Sequence, residues 1–116
     1  MHLKKIIDEI DLTLLTEAHD FSDVMVNSCY CSDLLSCVMT GASSGSIWVT
    51  LMAHSNIIAV AALLDIPAII ITENAQPDQI TLSKAKENNI ILLSSPESNF
   101  YICGKLWEMG LREKES

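Results

Sequence analysis

The chain has 116 residues, of which 49% are hydrophobic and 19% charged, and it carries a formal net charge of −8. That length and apolar content suffice for one domain with one real core. The acidic balance opposes phosphate backbones and anionic bilayers, which need clustered Lys and Arg, so neither nucleic acid nor a membrane is expected as a partner.

The amino terminus, MHLKKIIDEID, places acids inside its apolar positions and has no secretory h-region. Leu3, Ile6, Ile7 and Ile10 have helical spacing, and Leu12 to Leu15 reads as a short strand. With a polar connection over Glu17 to Asp23, residues 1–23 form a helix-strand extension ahead of a core at 24–111. Val24 to Tyr30 is β-compatible, Asp33 to Met39 resumes helical periodicity through Leu34, Leu35 and Val38, and GASSG at Gly41 to Gly45 forces a turn.

Trp48 to Asn74 reads as strand, polar turn, buried helix and strand. The first strand ends at Thr50. Ser55 is the expected N-cap of a helix over Asn56 to Leu64, which has apolar or Ala residues on every face and so should be buried. Asp65, Ile66 and Pro67 end it. Asp65 and Pro67 also split the longest apolar stretch, Ile57 to Ile71, into pieces too short to span a membrane, and a soluble cytoplasmic protein is expected. Ala68 to Thr72 follows as a strand whose unbroken apolar run implies cover on both faces.

Pro77 fits the first position of a helix running to about Asn88, with Asp78 against its positive dipole end. Asn89 suits a left-handed closure, and Ile90 to Leu93 forms another buried strand. Ser95 and Pro96 repeat the start signal, and Phe100, Cys103, Leu106 and Trp107 make one apolar helical stripe. Gly110 stops the helix before a charged tail at 112–116. Alternating strands and helices with short connections predict a single α/β domain over 1–116, with three layers, helix, sheet and helix, around a mainly parallel sheet.

In such sheets ligands bind in the crevice outside the carboxyl ends of the strands. Thr50 and Thr72 end adjacent strands, and the turns after them supply His54, Asn56 and Asn74; these five are the candidate ligand-binding residues. Amide donors and an imidazole at the start of a helix can hold an anion or a nucleotide phosphate. The same residues are also satisfied by a capped helix with a solvated His, the commoner arrangement, and Thr is common in strands.

Cys29, Cys31 and Cys37 form a C-x-C-x5-C group that matches no standard zinc or iron–sulfur signature, and Cys103 lies far away. If the strand at Val24 to Tyr30 extends by one residue, Cys29 and Cys31 share a sheet face and can ligate together. Burial as small reduced hydrophobes is the commoner fate of free Cys. A metal or iron–sulfur protein using these three cysteines is therefore the alternative function. G-x-x-x-x-G-K-[ST], G-x-S-x-G and H-E-x-x-H are all absent, and Asp33 and Glu73 read as surface or cap residues, so no enzyme is expected. An acid–base role for His54 ranks last, having no oriented partner in view.

The segment YCSDLLSCVMTGASSGSIWVTLMAHSNIIAVAALLDIPAIIITENAQPD, continuing through KAKENNIILLSSPESNF, resembles the DRTGG domain, named for an Asp-Arg pair after one strand and Thr-Gly-Gly after the next. The likeness covers Val24 to Leu111. It is closest to small stand-alone members that look like the amino-terminal domain of HPr kinase/phosphorylase and are often encoded beside iron-only hydrogenase genes. Asp-Arg falls on Ala53 and His54, and Thr-Gly-Gly on Thr72, Glu73 and Asn74, so only Thr72 is retained. The later family pattern, Thr before the last helix and Asp-Thr-Phe in its first turn, falls on Ser95 and on Ser98, Asn99 and Phe100.

The resemblance implies a non-catalytic regulatory or interaction domain that is homodimeric. Larger relatives join it to kinase, phosphotransacetylase and nucleotide-regulated pyrophosphatase modules, which implies an adenine nucleotide as the ligand, at a dimer interface, and no other cofactor. It also implies a protein partner in a hydrogenase or phosphotransfer context. Side chains at Glu73 and Asn74 replace the Gly pair that permits close backbone approach to a phosphate, and Glu73 adds repulsive charge. Trp48, Trp107 and the abundant Ile and Leu predict exposed apolar area for self-association.

Overall fold

A computed structural model of the chain describes residues 1–16 and 21–113. The elements, in order, are α1 (Leu3–Ile10), β1 (Thr13–Leu14), β2 (Ser28–Cys31), α2 (Leu35–Gly41), β3 (Ser46–Thr50), α3 (Asn56–Leu64), β4 (Ala68–Ile71), α4 (Gln79–Glu87), β5 (Ile91–Ser94) and α5 (Asn99–Glu108). The strands form one sheet in the order β1-β5-β4-β3-β2. β2 to β5 run parallel, and β1 is an antiparallel edge on β5. Among the described residues, no helix is long and apolar enough to cross a membrane.

Alternation along each strand divides the core between the two sheet faces. Ile47, Val49, Ala68, Ile70, Ile91 and Leu93 point to one face, where Leu3, Ile6 and Ile10 of α1 and Ile102 and Leu106 of α5 cover them. Trp48, Ile69, Ile71 and Leu92 point to the other, under Val38 of α2, Ile57, Ile58 and Ala61 of α3, and Ala85 of α4. Every residue of β4 and β5 is buried, as their unbroken apolar runs require. The three expected layers are present, and α1 of the amino-terminal extension packs into the core. Each fully buried Ile or Leu stabilises this arrangement by about 1.5–3 kcal/mol.

Several boundaries differ from expectation. β2 begins at Ser28, because Val24 and Val26 pair instead with the amino-terminal residues: the Leu3 N–H donates to the Val24 carbonyl and the Val26 N–H to the Met1 carbonyl. Trp48 is fully buried, and its indole N–H donates to the Ser32 carbonyl at 3.0 Å, so it adds nothing to the exposed apolar surface. α3 buries Ile57, Ile58, Val60 and Ala61 but leaves Leu63 exposed, since an outer-layer helix keeps one side toward solvent. On α5 the buried pair is Ile102 and Leu106; Phe100 and Trp107 lie on its outward flank, 90% and 60% exposed.

The helix starts also move. Ser55 has helical backbone angles, so its hydroxyl caps nothing, and the His54 ring Nδ1 accepts the Asn56 N–H at 3.2 Å. α4 starts at Gln79 rather than Pro77, and Asp78 is its N-cap, with its carboxylate accepting the Thr81 N–H at 2.9 Å. Ser98 caps α5 by accepting the Tyr101 N–H at 3.1 Å, while Ser95 accepts the Glu97 N–H in the preceding turn. Asn89 takes the expected left-handed conformation, as does Gly45 at the end of the GASSG turn. The connection expected over Glu17 to Asp23 falls at 17–20 outside the described residues, as does the tail at 114–116.

Candidate functional site

Parallel register sets Thr50 beside Ile71, and the Thr72 N–H donates to the Thr50 carbonyl at 2.9 Å. Both threonines are fully buried at the carboxyl end of the sheet. Their hydroxyls are held by protein partners. Thr50 Oγ1 donates to Asp33 Oδ1 at 2.8 Å, and the same carboxylate oxygen accepts the Leu51 N–H at 2.8 Å. Asn99 Nδ2 donates to Asp33 Oδ2 at 3.0 Å, and Asn99 Oδ1 accepts the Thr72 hydroxyl. Thr50 Oγ1 also accepts the Met52 N–H at 3.1 Å.

Asp33, at the exit of β2, and Asn99, at the start of α5, thus tie the ends of β3 and β4 together. A charged acceptor strengthens each bond made to Asp33. Asp33 is thus not the plain surface or cap residue expected, and Asn99 has a role beyond its family-pattern position. The available signal was their location: each follows a strand and precedes or opens a helix, where side chains reach over a parallel sheet's carboxyl end.

His54 and Asn74 are exposed in the turns that follow β3 and β4, and exposed Asn56 opens α3. The first turn of α4 meets the turn after β3 where Thr81 Oγ1 donates to the Ala53 carbonyl at 3.4 Å. Because His54 Nδ1 accepts a backbone N–H, the neutral ring carries its proton on Nε2. The Asp78 carboxyl sits below the usual carboxylate range, chiefly because the Thr81 N–H and hydroxyl donate to it, with a contribution from nearby His54. Glu73 and Asn74 both adopt left-handed backbone conformations, φ 59° and 56°, the conformation glycine adopts most easily. Their N–H groups donate to the Glu97 and Ser95 carbonyls at 2.8 and 3.0 Å, which holds the turn and uses up those donors.

Cys29 and Cys31 do share a sheet face, but Cys37 does not join them. It is exposed on α2, which packs over the opposite face, and its carbonyl accepts the Tyr30 hydroxyl at 3.2 Å. Cys103 of α5 meets the strand pair instead, and Cys29, Cys31 and Cys103 line a cavity of about 360 Å³. Among the described residues, no three His, Cys, Asp or Glu side chains are placed to hold a metal ion. The ligand set of the alternative reading, Cys29, Cys31 and Cys37, is therefore not assembled. Burial, reinforced by the neighbouring Cys103 and Glu113, pushes the Cys29 thiol up from the ordinary 9.0 to about 11. Cys31 is raised further, first by the neighbouring Cys103 thiol and then by burial, while Cys31 in turn lowers Cys103 against burial and Glu113.

No family model matches the chain, and no curated protein matches it in sequence. In structure it is similar to the CBS and DRTGG domains of the regulatory region of Clostridium perfringens pyrophosphatase, solved in complex with its activator, diadenosine tetraphosphate. The TM-score is 0.64 at 18% sequence identity, over 88% of this chain and 44% of that one. The likeness gives no support to a hydrogenase-associated role. This chain spans less than half of that structure and shares its mixed α/β fold, a sheet flanked by helices.

Proposed function

We propose that the chain is a non-catalytic regulatory or interaction domain that binds an adenine nucleotide at the carboxyl ends of β3 and β4 and acts as a homodimer. The observation that carries this reading is the placement of exposed His54, Asn56 and Asn74 just beyond the adjacent, closed ends of β3 and β4. The bound activator of the structurally similar regulatory region supports the ligand class. Exposed Phe100, in the first turn of α5 next to Asn99, offers a face for base stacking. Leu34 and Leu51 flank Asp33 and Thr50 and are also exposed, so the same end presents apolar area to a second copy. His54 is oriented by a backbone N–H and not by a carboxylate, which favours a binding role over general-base chemistry.

Asp33 and Glu73 repel bare phosphates, so the titration is made with magnesium present to mask part of the phosphate charge. Equilibrium titration with magnesium diadenosine tetraphosphate, ATP and AMP tests the ligand. Saturable binding that weakens in His54→Ala and Phe100→Ala, with unfolding temperature unchanged, is the expected result. Silence at millimolar nucleotide would leave an interaction role alone, and a strictly monomeric chain at high micromolar concentration would overturn the dimer.

A further inference from the structure

Two cysteines of the edge strand β2, Cys29 and Cys31, meet a third, Cys103 of α5, that is distant in sequence. Cys29 and Cys31 project toward α5, Cys103 projects back from it, and none is in a disulfide. They open onto a cavity also walled by Val49, Trp107 and Leu111. Arg112 also lines it, with its guanidinium 3.9 Å from the centre of the Trp107 ring. All three cysteines are only partly buried, so a small molecule reaches them.

We propose that Cys31 and Cys103 form a reversible thiol–disulfide exchange site whose oxidant is a low-molecular-weight disulfide of the glutathione class, and that the resulting bridge locks α5 onto β2. The Cys103 thiolate attacks one sulfur of the small disulfide; its S–S bond breaks, and one thiolate leaves. Cys31 then gives up its proton and attacks the Cys103 sulfur, expelling the second small thiolate. Two protein thiols are oxidised to one disulfide, one small disulfide is reduced to two thiols, and the two protein protons end on the two leaving groups.

Cys103 is the attacking group because the neighbouring Cys31 thiol in the same cavity favours its thiolate, although burial and Glu113 oppose this. Cys31, held protonated beside Cys103 and by burial, is the resolving thiol. Cys29 is held protonated by burial and stays out of the exchange.

The bridge runs parallel to a contact already described. Cys31 lies two residues before Asp33, and Cys103 lies one helical turn after Asn99 on the same side of α5. Cys31–Cys103 and Asp33–Asn99 therefore join the same two segments, and oxidation fastens the helix whose first turn holds Thr72. This inference is independent of nucleotide binding.

The test is incubation of the reduced full chain with oxidised glutathione, followed by thiol blocking, intact-mass measurement and peptide mapping. The expected product is one intramolecular disulfide between the Cys31 and Cys103 peptides, with Cys29 and Cys37 still free and dithiothreitol restoring all four thiols. Cys31→Ser should trap glutathione on Cys103. A bridge that includes Cys29, glutathione on exposed Cys37 alone, or no reaction would overturn the assignment in the wild-type chain, whatever the variant does. Amide exchange over residues 99–103 should slow on oxidation, and an unchanged rate would remove the locking step.

Discussion

Asp33 and Asn99 stand 66 residues apart and are joined by a 3.0 Å hydrogen bond across the carboxyl end of the sheet. Through it the exit of β2, the ends of β3 and β4 and the start of α5 become one polar unit, built over buried threonines. Removing the Asn99 amide leaves the fully buried Thr72 hydroxyl without its acceptor. Asn99→Ala should therefore cost about 1–3 kcal/mol in urea denaturation, and Thr72→Val made in the same chain should recover part of it. An Asn99→Ala loss within about 0.5 kcal/mol, the range of an ordinary surface change, would show that the contact closes nothing.

Glu73 and Asn74 occupy left-handed conformations in succession, where a side chain costs about 1–2 kcal/mol and Gly gives back part of that gain as chain entropy. Glu73→Gly should stabilise the chain by about 0.5–1 kcal/mol in thermal or urea melts. It should also tighten magnesium-nucleotide binding by removing a repulsive carboxylate. Stabilisation without tighter binding would separate the turn from the ligand.

Cys29 keeps its proton in the folded chain up to about pH 11, whereas an unfolded thiol ionises at its ordinary 9.0. The folded value is raised, so the stability linked to this proton is fully present below the ordinary value and is lost as pH climbs through about 11. Wild-type unfolding temperature should fall over that interval, and Cys29→Ala should flatten the alkaline limb. Parallel limbs in the two proteins would assign the loss to other groups.

Helix starts offer a direct comparison of two serines. Ser98→Ala should destabilise by about 1 kcal/mol, since it removes the acceptor of the Tyr101 N–H, while Ser55→Ala should change stability by less than about 0.5 kcal/mol. Equal effects in denaturant titrations would contradict the assignment of caps.

The sheet was legible because its signal is local. The unbroken apolar runs of β4 and β5 demand cover on two faces, and Leu3, Ile6 and Ile10 mark one side of α1 without ambiguity. α5 was harder, because Ile102 and Leu106 and the flank of Phe100 and Trp107 are both apolar at helical spacing, and only packing chooses between them. Trp48 looked surplus to a small core until its indole N–H found the Ser32 carbonyl.

The threonines and the polar turns of the candidate site were visible as strand ends. Their closure by Asp33 and Asn99 depends on long-range register, which no short window of sequence carries. Cys103 was set apart from the other cysteines for the same reason, while Cys37, near in sequence, lies on α2 over the opposite sheet face.

Amide chemical shifts of the labelled chain during titration with magnesium diadenosine tetraphosphate report whether nucleotide binds at the carboxyl ends of β3 and β4. Saturating shifts at His54, Asn56, Glu73, Asn74 and Phe100 are predicted, with little change at Cys29 and Cys103. No shift at millimolar nucleotide, or shifts confined to the cysteine cavity, would rule out nucleotide binding at these strand ends.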